Sequence, residues 1–182
     1  SMHYYKLFNG DPHPGNYLFQ EDGGIAFLDF GCVKHFEPEF IAHMQAFNRA
    51  IVNQDMEAFD DCIMALGLIL PGRDYDRERM WRFFSYHAAP FLHDREFEFT
   101  SEWVAASRDV MTPDELRRFN LPSQMLFFNR ITFGLNSIFL RLAAKDNFHR
   151  MNRRYLYPEE GRVPALADIG VKMPEHYLTP DV

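Results

Sequence analysis

The residues best suited to chemistry lie in two short loops near the start of the chain. Residues 9–16 read Asn-Gly-Asp-Pro-His-Pro-Gly-Asn, and residues 29–31 read Asp-Phe-Gly. Asp11 and Asn16 stand in a loop stiffened by two prolines, so their side-chain oxygens can be held toward one point. Phosphoryl transfer requires a carboxylate beside the attacking hydroxyl, and an amide oxygen and a second carboxylate on Mg²⁺. Asp11, Asn16 and Asp29 would supply these three groups.

The joint order of the two loops favours chemistry over ordinary turn formation. Asp, Asn, Pro and Gly are also the common residues of tight loops, so each motif alone is a weak signal. Between the loops, residues 17–19 and 25–28 read as two strands joined by the turn signal Asp22-Gly23-Gly24. An Asp-x-x-x-x-Asn loop, a strand, a turn, a strand and Asp-Phe-Gly follow one another in protein kinases as well.

These motifs carry a family resemblance. Residues 10–16, Gly-Asp-Pro-His-Pro-Gly-Asn, together with residues 28–31, Leu-Asp-Phe-Gly, resemble the UbiB/AarF-type atypical kinases, a protein-kinase-like family linked to ubiquinone biosynthesis. The resemblance implies ATP and Mg²⁺ as cofactors, Asp11 as the catalytic aspartate, and Asn16 and Asp29 as the ligands of the metal and its nucleotide. The supporting loop residues would be Asn9, Gly10, His13, Gly15, Phe30 and Gly31. Asn9 departs from the family pattern, because many relatives have His at this position.

Two other functions fit the same residues. Aminoglycoside and choline phosphotransferases share a Gly-Asp-x-His-x-Gly-Asn loop, although the intact Gly31 favours the UbiB-like family. A pseudokinase-like binding module would keep the loops without using ATP. Pro38 opens a helix soon after Gly31, and no Ala-Pro-Glu follows, so no docking segment for a protein substrate is evident. We therefore expect a lipid, a quinone precursor or another small molecule as the acceptor, or ATP hydrolysis as such.

After Phe36 the apolar residues recur at helical spacing, which predicts a mainly α fold. With the resemblance, this indicates a protein-kinase-like C-lobe whose short N-terminal β-hairpin carries the catalytic and metal-binding loops. We predict one truncated domain: residues 1–36 with the loops and hairpin, a helical lobe over 37–155, and a Pro-containing tail over 156–182. A strand is expected at 4–8, and helices at 38–51, 55–67, 76–89, 101–111, from 112, 123–144 and 147–155.

Composition and net charge limit the classes of molecule that the protein could bind. The 182 residues carry a net charge of −7, which disfavours nucleic acid. The first residues have no basic stretch followed by an apolar run, so we expect no signal peptide there and a cytoplasmic protein. Four polar residues, two of them arginines, interrupt the most apolar segment, 125–144, so we expect this segment to be a buried helix. Contact of this aromatic segment with a membrane surface is an open alternative. A phosphate-binding lysine and a Gly-rich loop would come from a missing N-lobe of the same chain, without which these residues should be inactive.

Overall fold

Two small antiparallel sheets frame the two loops. The structure, a computed structural model, describes residues 2–110 and 119–157. Strand β1 (Leu7–Asn9) pairs with β4 (Val33–His35), and β2 (Tyr17–Phe19) pairs with β3 (Ile25–Phe27). Residues 10–16 run from β1 to β2, and residues 28–32 run from β3 back to β4. Both loops therefore connect the same two sheets and lie between them.

The hairpin is as predicted, whereas the first residues differ. The Asp22 carboxylate accepts a hydrogen bond from the Gly24 amide at 2.9 Å, and Gly23 takes the positive φ of 84° that this turn requires. The strand predicted at 4–8 is wrong in its first half, because helix α1 occupies Met2–Tyr5. Lys6 follows with a φ of 58°, and the extended chain begins only at Leu7.

The rest of the described chain is mainly α, as predicted. Its helices are α2 (Pro38–Val52), α3 (Met56–Ala65), α4 (Arg77–His87), α5 (Ala89–Leu92), α6 (Ser101–Ala106), α7 (Ser123–Arg141) and α8 (Phe148–Leu156). Short 3₁₀ turns occupy Pro14–Asn16 and Ser107–Asp109, and β5 (Phe97–Glu98) pairs with β6 (Lys145–Asp146). Local caps set several helix starts, because the side chains of Asp55, Asp76, Thr100 and Asn147 each accept a hydrogen bond from a backbone amide of the first turn.

Some helix boundaries differ from the prediction. Pro90 was expected to end a helix, but it lies in the first turn of α5, where its missing N–H costs nothing. Helix α6 ends at Ala106 and tightens into a 3₁₀ turn, well short of residue 111. The helix predicted from residue 112 and most of the tail predicted at 156–182 lie outside the described residues.

The core forms mainly where α2 and α3 meet. Phe59 is fully buried and is surrounded by the rings of Phe47, Trp81 and Phe84, with ring centroids 5.6, 5.1 and 6.0 Å away. Aliphatic side chains fill the rest, the most buried being Ile41, Met44, Ile51, Ile63 and Leu68. Three of the 19 Phe residues of the sequence thus pack together at the centre of the core.

Helix α7 is the long aromatic helix of the sequence. Met125, Ile131 and Ile138 are buried, whereas Leu126 and Phe133 are exposed. One face therefore packs into the lobe, as expected, and another remains open. Within residues 2–110 and 119–157, none of the helices is both long enough and apolar enough to cross a membrane.

Candidate active site

Backbone hydrogen bonds hold the two loops side by side. At one end, the Gly10 amide donates to the Cys32 carbonyl at 2.6 Å, which extends the β1–β4 pairing into both loops. At the other end, the Leu28 amide donates to the Asn16 carbonyl at 3.0 Å, which extends the hairpin. Asn16 and Asp29 are thereby placed at the base of the same hairpin, one on each side. The structure brings together the loops that the sequence separates by a strand, a turn and a strand.

Asn9 links the two loops through its side chain. Its Oδ1 accepts a hydrogen bond from the Asp11 amide at 2.9 Å, and its Nδ2 donates to the Asp29 carbonyl at 2.8 Å. One amide group thus fixes the backbone of both aspartates. The Asn9 side chain therefore links the backbones of the two loops.

Asp11 is held by hydrogen bonds to its backbone and by an arginine that is distant in the sequence. Its carbonyl accepts hydrogen bonds from the His13 amide at 2.7 Å and from Asn16 Nδ2 at 3.2 Å. Its carboxylate Oδ1 accepts from Arg130 Nη2 at 2.8 Å, while both side chains stay roughly half exposed. The carboxylate is accessible to a substrate and already has one fixed partner.

The chemistry of the donor set suits Mg²⁺. Since Asn16 Nδ2 donates to Asp11, its amide oxygen Oδ1 is the end that could bind a cation. The Asp29 Oδ1 accepts from the Gly31 amide at 2.7 Å, so the carboxylate is oriented with Oδ2 as its second oxygen. One amide oxygen and one carboxylate are hard ligands of the kind that Mg²⁺ takes beside phosphate oxygens and water. Among the residues the structure describes, no group of three or more His, Cys, Asp and Glu forms a separate metal cluster.

His13 and Gly10 determine the backbone shape and spacing of the loops. His13 Nδ1 accepts a hydrogen bond from the Gly15 amide at 3.1 Å and so caps the 3₁₀ turn that ends at Asn16. Gly10 is buried, and a Cβ there would lie only 3.0 Å from the Cys32 sulfur. A side chain at position 10 would therefore push the two loops apart.

Two aromatic residues border the aspartates. The Tyr17 hydroxyl is buried and has no hydrogen-bond partner among the described residues. Burial, with a smaller contribution from the negative charge of Asp11, raises the pKa of Tyr17, which keeps the phenol neutral. Phe30 is 66% exposed, and its ring lies 6.5 Å from that of Phe27. Phe30 thus presents an apolar surface next to Asp29.

One stripe of α7 lies along the loops, and sequence reasoning missed it. Gln124 accepts a hydrogen bond from the Glu37 amide at 3.3 Å, and the Phe127 ring lies 5.3 Å from the Lys34 ammonium. Further along the helix, Arg130 pairs with Asp11, and Gly134 contacts Pro12. A Cβ on Gly134 would overlap the Pro12 ring, so this close approach requires glycine. A glycine in the middle of a long helix was the available signal for it.

Comparison with known proteins agrees with this geometry. Residues 1–62 match the family described as ABC1 atypical kinase-like domain. Over 67 residues the chain is 39% identical to an uncharacterized, chloroplastic aarF domain-containing protein kinase of Arabidopsis thaliana, and this match covers 37% of this chain and 10% of that protein. Over 70 residues it is 39% identical to ACTIVITY OF BC1 COMPLEX KINASE 3 of the same plant, covering 38% of this chain and 10% of that protein. The predicted resemblance to the UbiB/AarF-type family is confirmed.

The fold has a solved counterpart. The structure of Rv3197 from Mycobacterium tuberculosis, determined as a complex with erythromycin, superposes with a TM-score of 0.67 at 21% identity, covering 82% of this chain and 38% of that one. The likeness therefore extends from the loops into the helices. The matched part of this chain corresponds to about a tenth of each of the curated relatives named above.

Proposed function

We propose that this chain, which resembles the UbiB/AarF-type atypical kinases, carries the catalytic and metal-binding loops of an ATP- and Mg²⁺-dependent kinase or ATPase. Asp11 would orient the attacking hydroxyl or water and take its proton. Asn16 and Asp29 would hold Mg²⁺. The observation that carries the proposal is the Asn9 side chain, which ties the Asp11 amide to the Asp29 carbonyl and so makes one site of two loops.

Each residue has a separate task in this reaction. Asn16 and Asp29 would hold Mg²⁺, which would supply positive charge to offset that of the phosphate oxygens. Asp11 keeps Oδ2 for the hydroxyl proton, because Oδ1 already accepts from Arg130. The Gly31 amide keeps the Asp29 carboxylate from rotating. The loops are held by backbone hydrogen bonds before any ligand arrives, which lowers the cost of ordering them.

A small or lipid-like acceptor suits the site better than a protein. Only β4 and three further residues separate Asp-Phe-Gly (residues 29–31) from α2, which leaves little chain for a peptide-docking segment. Phe30 and Leu28, 66% and 55% exposed, offer apolar surface beside Asp29. The erythromycin complex of the similar fold supports a small organic ligand. A quinone precursor or another apolar small molecule is therefore the proposed class.

The lysine that contacts the nucleotide phosphates would come from elsewhere in the full-length protein. Lys6 donates to the His3 carbonyl, Lys34 lies over the rings of Phe36 and Phe127, and Lys145 pairs with Glu96. Each of these three lysines already has a partner within the lobe. We therefore propose that residues 1–182 alone have no useful turnover.

Contact with a membrane surface is a further part of the proposal. Leu126 and Phe133 on α7 are 53% and 54% exposed, and an apolar acceptor would have to be taken from lipid. Replacing both with Ser should reduce co-sedimentation of the full-length protein with anionic vesicles. Equal co-sedimentation of the variant and the wild type would rule out this contact.

The decisive experiment compares two aspartates with the same local geometry. Asp22 and Asp29 each accept a hydrogen bond from the amide two residues on, but only Asp29 lies at the site. In the full-length protein, Asp29→Asn should lower Mg²⁺-dependent ATP turnover by about 100-fold or more, and Asp22→Asn should leave it unchanged. Turnover by Asp29→Asn equal to the wild type would contradict the proposal and favour a pseudokinase-like module.

A product assay distinguishes a UbiB-like kinase from an aminoglycoside or choline phosphotransferase. Wild-type protein is offered aminoglycosides, choline and quinone precursors, and phosphorylated products are detected by mass spectrometry. Transfer to an aminoglycoside or to choline would favour a phosphotransferase of the aminoglycoside or choline kinase type. Transfer to a quinone precursor, or hydrolysis alone, would support the UbiB-like one.

A further inference from the structure

We propose that Arg130 is a positioning residue for phosphoryl transfer, which holds the Asp11 carboxylate in its reactive orientation. The inference rests on the proposed function, in which Asp11 receives the proton. Arg130 lies far along the chain from the catalytic loop, on a helix that the kinase-like motifs do not include. Its role is therefore carried by the geometry alone.

The contact has the form that a positioning role requires. Arg130 Nη2 donates to Asp11 Oδ1 at 2.8 Å, within the range of a charge-assisted hydrogen bond. The backbone of Asp11 is fixed by Asn9 and Asn16, which leaves rotation of the side chain as its main freedom. The hydrogen bond to Oδ1 restricts that rotation and leaves Oδ2 as the oxygen that would take the proton. A carboxylate without this partner would sample several orientations, of which few meet the hydroxyl.

The arginine itself stands on a fixed support. Gly134, one helical turn further along α7, is in close contact with Pro12, which directly follows Asp11. Phe127, one turn before Arg130, meets the Lys34 ammonium on β4. The helix is thus anchored to the loops on both sides of Arg130, so the guanidinium is carried to Asp11 by packing and not by chance rotation of a surface side chain.

Stability alone does not explain the pair. Arg130 and Asp11 have 58% and 44% of their side chains exposed, and ion pairs this open add little to folding. Removing Arg130 should therefore change the melting temperature little. A large effect on turnover would then report its action on Asp11.

The test uses alanine and lysine variants of the full-length protein, with a matched ion pair as control. Arg150 also pairs with an aspartate, Asp94, at 2.7 Å and with similar exposure, but it lies on α8. Arg130→Ala should lower kcat by about 10- to 100-fold with the KM for ATP within about twofold of the wild type. Arg130→Lys should recover part of the loss, and guanidinium at non-denaturing concentration should partly restore Arg130→Ala. Arg150→Ala should keep full turnover.

The outcomes separate this inference from the proposed function. Full turnover by Arg130→Ala, while Asp11→Asn is inactive, would overturn the positioning role and leave the proposed function standing. A raised KM for ATP with unchanged kcat would also overturn it, because Arg130 would then bind nucleotide. A fall in kcat matched by an equal loss of folded protein would do the same. Absence of turnover in the wild type would overturn both.

Discussion

The side-chain amide of Asn9 donates to the carbonyl of Asp29 at 2.8 Å, across a sequence gap filled by the whole hairpin. The other end of the same amide accepts from the Asp11 backbone. An imidazole has one donor and one acceptor nitrogen in its neutral form, so His could serve the same two partners. A His at position 9 would thus meet the same geometric requirement as Asn9.

Asn9→Ala should uncouple the two loops. It removes two hydrogen bonds of about 0.5 to 1.5 kcal/mol each, so we expect a stability loss of about 1 to 2 kcal/mol. ATP turnover by the full-length protein should fall about tenfold or more, because Asp11 and Asp29 would no longer be fixed relative to each other. Denaturant unfolding and steady-state kinetics measure the two effects.

Two further variants make this test specific. Asn120 also uses its amide to donate to a distant carbonyl, that of Gly67, but far from the loops. Asn120→Ala should therefore lose stability and keep turnover. Asn9→His should restore most of the turnover. If Asn9→Ala and Asn120→Ala lost turnover equally, the bridge would have no special role.

Gly134→Ala tests the contact of α7 with the catalytic loop. Helix propensity alone predicts that alanine stabilises the helix by about 1 kcal/mol. The new Cβ overlaps the Pro12 ring, however, and overpacking costs about 1 to 3 kcal/mol. We expect no gain in melting temperature and about a tenfold loss of turnover, since the loop must move. Ser137→Ala, an exposed change on the same helix, is the control. A Gly134→Ala protein that is more stable and fully active would contradict the contact.

Phe59→Ala tests the centre of the core. Phe59 is fully buried among three aromatic rings, so truncation should cost about 3 to 5 kcal/mol in the free energy of unfolding. Leu142→Ala, with a side chain 51% exposed, should cost less than about 0.5 kcal/mol. Denaturant melts of both variants measure the difference. Similar midpoints would mean that the core lies elsewhere.

Local signals explain which elements could be predicted from sequence. Asp55, Asp76 and Asn147 cap helices that begin within a residue of the expected position, because a cap and the helical period are both read over a few residues. The β2–β3 hairpin was predicted from the turn signal that joins its strands. The β1–β4 and β5–β6 pairings were not predicted, since their short strands lie far apart in the sequence and no turn joins them directly.

The same limit applies to the candidate site. Asp11, Asn16 and Asp29 could be predicted as site residues because their motifs lie within one short stretch of chain. The contact between Arg130 and Asp11 joins residues 119 positions apart and follows from how α7 packs, which no local pattern encodes. In the sequence, Arg130 is only one of the polar residues that interrupt the apolar segment 125–144.

His3 should make the stability of the lobe depend on pH. Burial, reinforced by the positive charge of Lys6, lowers the pKa of His3 from 6.5 to about 4. Its ring stacks on Tyr155 at 5.5 Å, which leaves little room for a hydration shell around an imidazolium. Because the unfolded chain takes up the proton first, the contribution of neutral His3 is complete above pH 6.5 and is lost as the pH falls toward 4.

The free energy of unfolding should therefore fall by about 1 to 3 kcal/mol across this interval through His3. Burial lowers the pKa of His87 as well and adds to the slope in the same direction. His3→Gln should flatten the pH dependence measured by denaturant unfolding between pH 6.5 and 4, while its effect above pH 7 stays constant. An unchanged slope in His3→Gln would show that the imidazole is protonated as readily in the folded protein as in the unfolded chain.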